Sequence, residues 1–155
     1  MPASEHASLI ERLKATPRDL VSLTSGASSA ALGRRPGPRE WSAAMVLVHL
    51  ADAELVYGYR IKMILTEDRP LITPYDESGW TERSSRVEED PKDVLARWRL
   101  LREHHLRLME SLDDAEWRRA GVHSQRGEMS VRQVVAAMAE HDRQHLDQLR
   151  RALAG

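Results

Sequence analysis

The segment from Ser130 to Leu153, SVRQVVAAMAEHDRQHLDQLRRAL, constrains this chain more than any other. Val131, Val134, Val135, Met138, Leu149 and Leu153 recur at three- and four-residue intervals, the period of a helix that buries one face. Ser130 with Gln133 three residues on reads as a capping box and fixes where that helix starts. Along the stripe Val134, Met138, His141, His145, Leu149, two histidines stand where the pattern otherwise calls for aliphatic side chains, so both imidazoles are expected to face the core. Residues four apart on a helix differ by only about 40° in direction and roughly 6 Å along the axis, so the two rings can converge on one point, where a metal ion would fit. Two core histidines that hydrogen-bond their neighbours satisfy the same spacing. Seven His in 155 residues give about 0.3 such pairs by chance, so the pair by itself decides nothing.

The chain has the length of one domain, 1–155, with enough residues for one sizeable core. It has no cysteine, which removes disulfides, thiolate metal sites and a cysteine nucleophile, and leaves nitrogen and oxygen to hold any metal. A net charge of -1, from 23 basic and 24 acidic residues interspersed along the chain, gives no footprint for DNA or RNA. The opening MPASEHASLIERLKATP lacks the apolar run of a signal peptide, and no stretch is apolar enough to span a bilayer. A soluble, cytoplasmic protein without nucleic-acid or membrane partners is expected.

Residues 4–26 place Leu9, Leu13, Leu20 and Leu23 at helical spacing, with a kink or break expected at Thr16-Pro17, where proline removes an amide and Thr16 could cap a restarted helix. Gly26 and the run of small residues after it end this helix, and residues 33–38 form a loop. A second helix starts at Ser42, its N-cap, and runs to about Leu65, with His49 in its apolar sector. Residues 66–90 are polar and proline-rich, a connection long enough to cross from one end of a bundle to the other or to carry function. Tyr75, Asp76 and Trp80 are its best-equipped residues for touching a substrate, or else form a plug that pins the loop. Asp90-Pro91 starts a third helix, whose stripe Val94, Trp98, Leu101, His105, Leu108, Leu112 turns His105 inward, as a fourth ligand, a partner of a ligand or a satisfied core residue. His6 and His104 follow no such pattern and are expected in solvent. Residues 113–129 form the turn into the last helix; His123 on it lies about 18 Å of helix from His141, too far for direct ligation, though not from the mouth of a pocket.

Four amphipathic helices with inward histidines on the second and fourth suggest an all-α four-helix bundle whose core holds a metal. Imidazole nitrogens suit Zn²⁺, Ni²⁺, Fe²⁺ or Co²⁺, and three protein ligands leave a position for water or substrate. Each ligating imidazole needs a partner for its other nitrogen, and Asp52, Glu54 and Asp142 are the nearest carboxylates; Glu54 and Asp142 are equally readable as surface charges, and Asp52 is slightly better placed. The chain shows neither a Ser-His-Asp order nor an HExxH helix.

Segments EWSAAMVLVHLADAE at 40–54, RPLITPYDESGW at 69–80, GVHSQRGEMS at 121–130 and HDRQHLDQL at 141–149 resemble, in the right order, the DinB-like superfamily with its YfiT-type metal-dependent hydrolases. The resemblance implies a four-helix bundle and a divalent metal held by one histidine of the second helix and two of the last, which fall on His49, His141 and His145. It also implies enzymes that act on a small-molecule substrate, either hydrolases or S-transferases using a low-molecular-weight thiol as co-substrate, and a homodimer. A stress-associated metal-binding bundle without turnover is the alternative.

Overall fold

The computed structural model describes the chain from Pro2 to Gly155, with side-chain environments from Glu5 onward. Four long helices carry the molecule: α1 (Pro2–Thr24), α3 (Ala43–Thr66), α5 (Pro91–Glu110) and α7 (Val131–Ala154). Three short ones, α2 (Ser29–Gly33), α4 (Glu77–Ser85) and α6 (Asp114–Arg118), sit in the connections. The starts follow from local chemistry. Ser42 accepts from the Met45 amide, Asp90 accepts from the Lys92 amide ahead of a first-turn proline, and Ser130 and Gln133 form the full reciprocal box.

In the bundle, α3 packs on α5 and α7, and α1 packs on α7 and α5, so α1 lies diagonally opposite α3 and α5 opposite α7. The core falls into two clusters, one around Leu13, Ile61, Ile64 and Met138, the other around Leu20, Leu47, Trp98 and Leu149. Between them lies a buried polar layer.

Of the kink or break expected at Thr16-Pro17, the break is absent, and Pro17 starts no new helix: α1 is one helix through that position. The physical reason is tertiary. Proline 17 cannot donate to the Leu13 carbonyl, and that orphaned oxygen accepts instead from Arg102 Nη1 at 3.1 Å, while the Thr16 hydroxyl donates to Asp142 at 2.6 Å rather than capping anything. The third helix buries Val94, Trp98 and His105 as expected, but its buried face also takes in residues outside the expected stripe. Its buried residues are Val94, Trp98, Arg102, His105, Leu106 and Met109, while Leu101 and Leu108 are only partly covered.

Both connections read as loops carry structure. Residues 66–90 contain β1 (Leu71–Ile72) and α4; residues 113–129 contain α6, and the chain on to Ser130 forms the hairpin of β2 (Ala120–His123) and β3 (Gly127–Ser130). The sheet order is β1-β2-β3, with β1 parallel to β2 (Ile72 opposite His123) and β2 antiparallel to β3. Gly127, at φ +76, closes the hairpin turn in a conformation that favours glycine. Gly121 lets β1 approach: a Cβ there would lie 2.8 Å from the Pro70 carbonyl. The sheet holds His123 and the segment after Ile72 against the bundle.

Candidate metal centre

Ser42 sets the phase of α3 and the Ser130–Gln133 box sets that of α7, and the two helices pack along their length. With those phases His49 is buried and faces His141 and His145. Its Nε2 lies 2.9 Å from His141 Nε2 and 3.0 Å from His145 Nε2. Among the described residues, these three form a group able to share one ion.

Hydrogen bonding among the rings does not explain the arrangement. A ring nitrogen has one in-plane proton or one lone pair, so His49 Nε2 cannot make linear bonds to two neighbours at once. His145 Nδ1 donates to Gln148 Oε1 at 2.7 Å, which puts the proton on Nδ1 and leaves the Nε2 lone pair facing the focus. Nitrogens that share a tetrahedral ion at roughly 2.0–2.1 Å stand about 3.3 Å apart, and the observed spacing is a few tenths of an ångström inside that. The donor set fits a divalent ion of the zinc, nickel, iron or cobalt kind.

Electrostatics keeps the rings neutral. Burial and then His145 push the His49 imidazole down to about 4. Burial, then His145, His49 and Arg102, push His141 down to about 2, and burial also lowers His145. Neutral imidazoles are what a metal requires. Two aromatic rings border the group: Trp41, with its ring centre 5.0 Å from that of His49, and Tyr57, edge-on to His141 at 5.6 Å. Burial raises the Tyr57 hydroxyl to about 12, so it stays protonated. His145 lines an open cavity of about 480 Å³ with Trp41, Gln148, Arg39 and Arg151; Tyr57 lines a second, of about 350 Å³, on the side of His123.

The carboxylates suggested as partners of the ligands serve elsewhere. Glu54 takes two bonds from Arg102, at 3.0 and 2.8 Å, and one from His105 Nδ1 at 2.8 Å. Asp142 takes two more from Arg102, at 2.7 and 3.0 Å. With the bond to Leu13 O, all five N–H donors of Arg102 are used, in a knot that ties α1, α3, α5 and α7 together. Burial works against both charges, yet Arg102 draws the Glu54 carboxyl below its ordinary value, and Asp142 and Glu54 raise Arg102 above its own. His105 belongs to this knot and not to the histidine group. Asp52 accepts from Ser84 at 3.3 Å and touches none of the three rings.

Gln148 was missed by sequence reasoning because an amide three residues after a histidine is common on helix surfaces. Arg102 was missed because arginine is rarely expected in a core. His6 is buried and stacked on Trp117 at 4.3 Å, rather than solvated, because the apolar face of α1 extends over α6. His104 is exposed, as expected. His123 is buried on β2 and borders the smaller cavity with Tyr75. Asp76 caps α4, and Trp80 packs edge-on against Tyr75.

The chain is similar to several known proteins. The family described as the DinB superfamily matches residues 12–149. A Bacillus subtilis protein named "Putative metal-dependent hydrolase YfiT" is 38% identical over 86 residues, 54% of this chain and 47% of that protein. A "Putative metal-dependent hydrolase" of Bacillus licheniformis is 36% identical over 110 residues, 68% of this chain and 61% of its own length. One from Geobacillus kaustophilus is 29% identical over 155 residues, 95% of this chain and 83% of its own. The alignments thus span about half to three-fifths of the first two relatives. The solved structure of YfiT from Bacillus subtilis, described as a probable metal-dependent hydrolase with an unusual four-helix bundle topology, superposes with a TM-score of 0.87 at 24% identity, covering 95% of this chain and 85% of that one. It shares the four-helix-bundle fold.

Proposed function

This chain belongs to the DinB superfamily, and from that premise we propose that it is a metal-dependent enzyme in which His49, His141 and His145 hold one divalent ion. The reaction we propose is attack on a small electrophile by water, the hydrolase chemistry named for its relatives. The convergence of three Nε2 atoms from two helices, without a hydrogen-bonding scheme that satisfies them, carries this reading.

A divalent ion supplies Lewis acidity, which draws the pKa of a water or thiol toward neutrality. The chain's own residues do the rest. Gln148 holds His145 in the tautomer that presents Nε2, and Trp41 and Tyr57 limit water on two sides of the group. With no cysteine in the chain, the protein has no thiol nucleophile of its own.

Transfer to a low-molecular-weight thiol is the second reading, and one observation favours it. Two cavities flank the group, with Glu77 on the wall of one and Ser78 on the wall of the other, which suits two reactants better than hydrolysis requires. We further propose a homodimer, for which Tyr59, Leu71 and Trp80, exposed around one shallow depression, offer an apolar face. Light scattering that gives a 17.6 kDa particle at micromolar concentration would count against it.

Elemental analysis of the purified protein, followed by assays with an activated ester and with a thiol plus a nitroaryl halide, tests the enzyme reading. Chelation should abolish turnover and one divalent metal should restore it. Turnover in protein shown to be metal-free would overturn it, and a tightly held metal with no turnover in either assay would favour the binding bundle.

A further inference from the structure

The smaller cavity holds a set of polar groups that the histidine cluster does not use. Arg60 reaches it from α3, Tyr75 and Glu77 from the segment after β1, His123 from β2 and Arg126 from the hairpin turn. Arg60 and Arg126 take part in none of the ion pairs among the described residues. Arg60 gives one N–H to the Thr73 carbonyl at 2.9 Å, which fixes the guanidinium at the wall and leaves its other donors free.

His123 is set as a donor. Its Nδ1 accepts the Gln125 amide at 3.1 Å, so the ring proton sits on Nε2. Burial, and then Arg60 and Arg126, lower its pKa and keep it neutral. The pairing of Ile72 with His123 across β1 and β2 holds the ring there. Tyr75 adds a hydroxyl with no partner among the described residues, shielded from solvent, and burial raises its pKa so that it keeps its proton. The cavity therefore offers several hydrogen-bond donors. Its wall also includes Tyr57, edge-on to His141, and Ala137, one turn before His141 on α7.

We propose that this cavity binds a small molecule through a carboxylate, gripped by Arg60, Arg126 and the Nε2–H of His123, with the remainder of the molecule directed past Tyr57 toward the histidine group. The charge count selects a monoanion. Arg60 and Arg126 contribute two positive charges and Glu77 one negative, a net of about +1 at neutral pH. A carboxylate balances that charge, whereas a phosphate dianion exceeds it. The apolar remainder of the lining, Ile72, Met129 and Val134, suits a carboxylate attached to a carbon skeleton.

The inference rests on the metalloenzyme reading only for the direction in which the ligand points, so the test separates the two. Benzoate and its neutral counterpart benzamide are titrated calorimetrically into metal-loaded protein and into chelator-treated protein. Benzoate should bind about tenfold more tightly than benzamide in both, the worth of a charge-assisted contact. Arg126→Gln, at an exposed turn position, should weaken benzoate about fivefold and leave benzamide unchanged; Arg60→Gln should do the same. Equal binding of the two probes, or benzoate binding that ignores both substitutions, would overturn the proposal. So would benzoate binding that needs the metal, because the ion would then be the receptor. Arginine-dependent benzoate binding in a protein that neither retains metal nor turns over would uphold the carboxylate site and overturn the metalloenzyme reading.

Discussion

Two buried polar groups lie side by side in this bundle and are built to opposite plans. The Arg102 knot and the histidine group both draw on α3 and α7; Asp142 of the first even follows His141 of the second in the chain. In the knot every guanidinium donor has an acceptor, and one guanidinium is clamped between two carboxylates. In the histidine group three ring nitrogens crowd one focus without a hydrogen-bonding scheme that satisfies them all, and His49 Nδ1 is buried with no partner among the described residues. A saturated buried network fixes geometry; an unsaturated one is short of a ligand. The first holds the four helices in the register that gives the second its focus.

The largest expected effect is on the saturated side. Arg102→Met leaves Glu54 and Asp142 as buried carboxylates without a counter-charge and should cost about 3–5 kcal/mol in urea unfolding of the metal-free protein. A loss under about 1 kcal/mol would mean the knot is not what fixes the register.

His141→Ala probes the unsaturated side. It should weaken metal binding by about a hundredfold or more and abolish the rise in Tm on adding the ion, while lowering metal-free stability less than Arg102→Met does. Full metal occupancy in the variant, read by elemental analysis, would remove His141 from the ligand set and erase the contrast.

Acid should sharpen it. The unfolded chain's histidines take up protons from about pH 6.5 downward, whereas folded His49 resists until about 4. The unfolded state then binds more protons, so metal-free stability, complete above about 6.5, should decline as pH falls from there toward 4. Thermal melts of His49→Gln should show a shallower decline over that window; an identical slope would assign the acid sensitivity elsewhere.

Gln148→Leu is the mildest. Losing the acceptor for His145 Nδ1–H frees the tautomer and should lower metal affinity about tenfold, with unfolding nearly unchanged. An unchanged metal affinity would show that packing alone orients the ring.

The sequence by itself determined the local elements and one side of the site. Caps at Ser42, Asp90 and Ser130 are written in adjacent residues, and the apolar period of α7 carries His141 and His145 on its inner face, because one helix repeats every 3.6 residues whatever it packs against. Short segments were not legible: β2 and β3 are four residues each, too few for an alternation to stand out, and β1 is two. Only the tertiary structure decided what lies opposite what. That α1 runs through Pro17 depends on an arginine donor from α5, and that Glu54 and Asp142 serve Arg102 instead of the histidines depends on how α5 is rotated in the bundle. His123 was readable as a loop residue; its place beside Arg60 and Arg126 came from strand pairing across some fifty residues of chain, which no local pattern records.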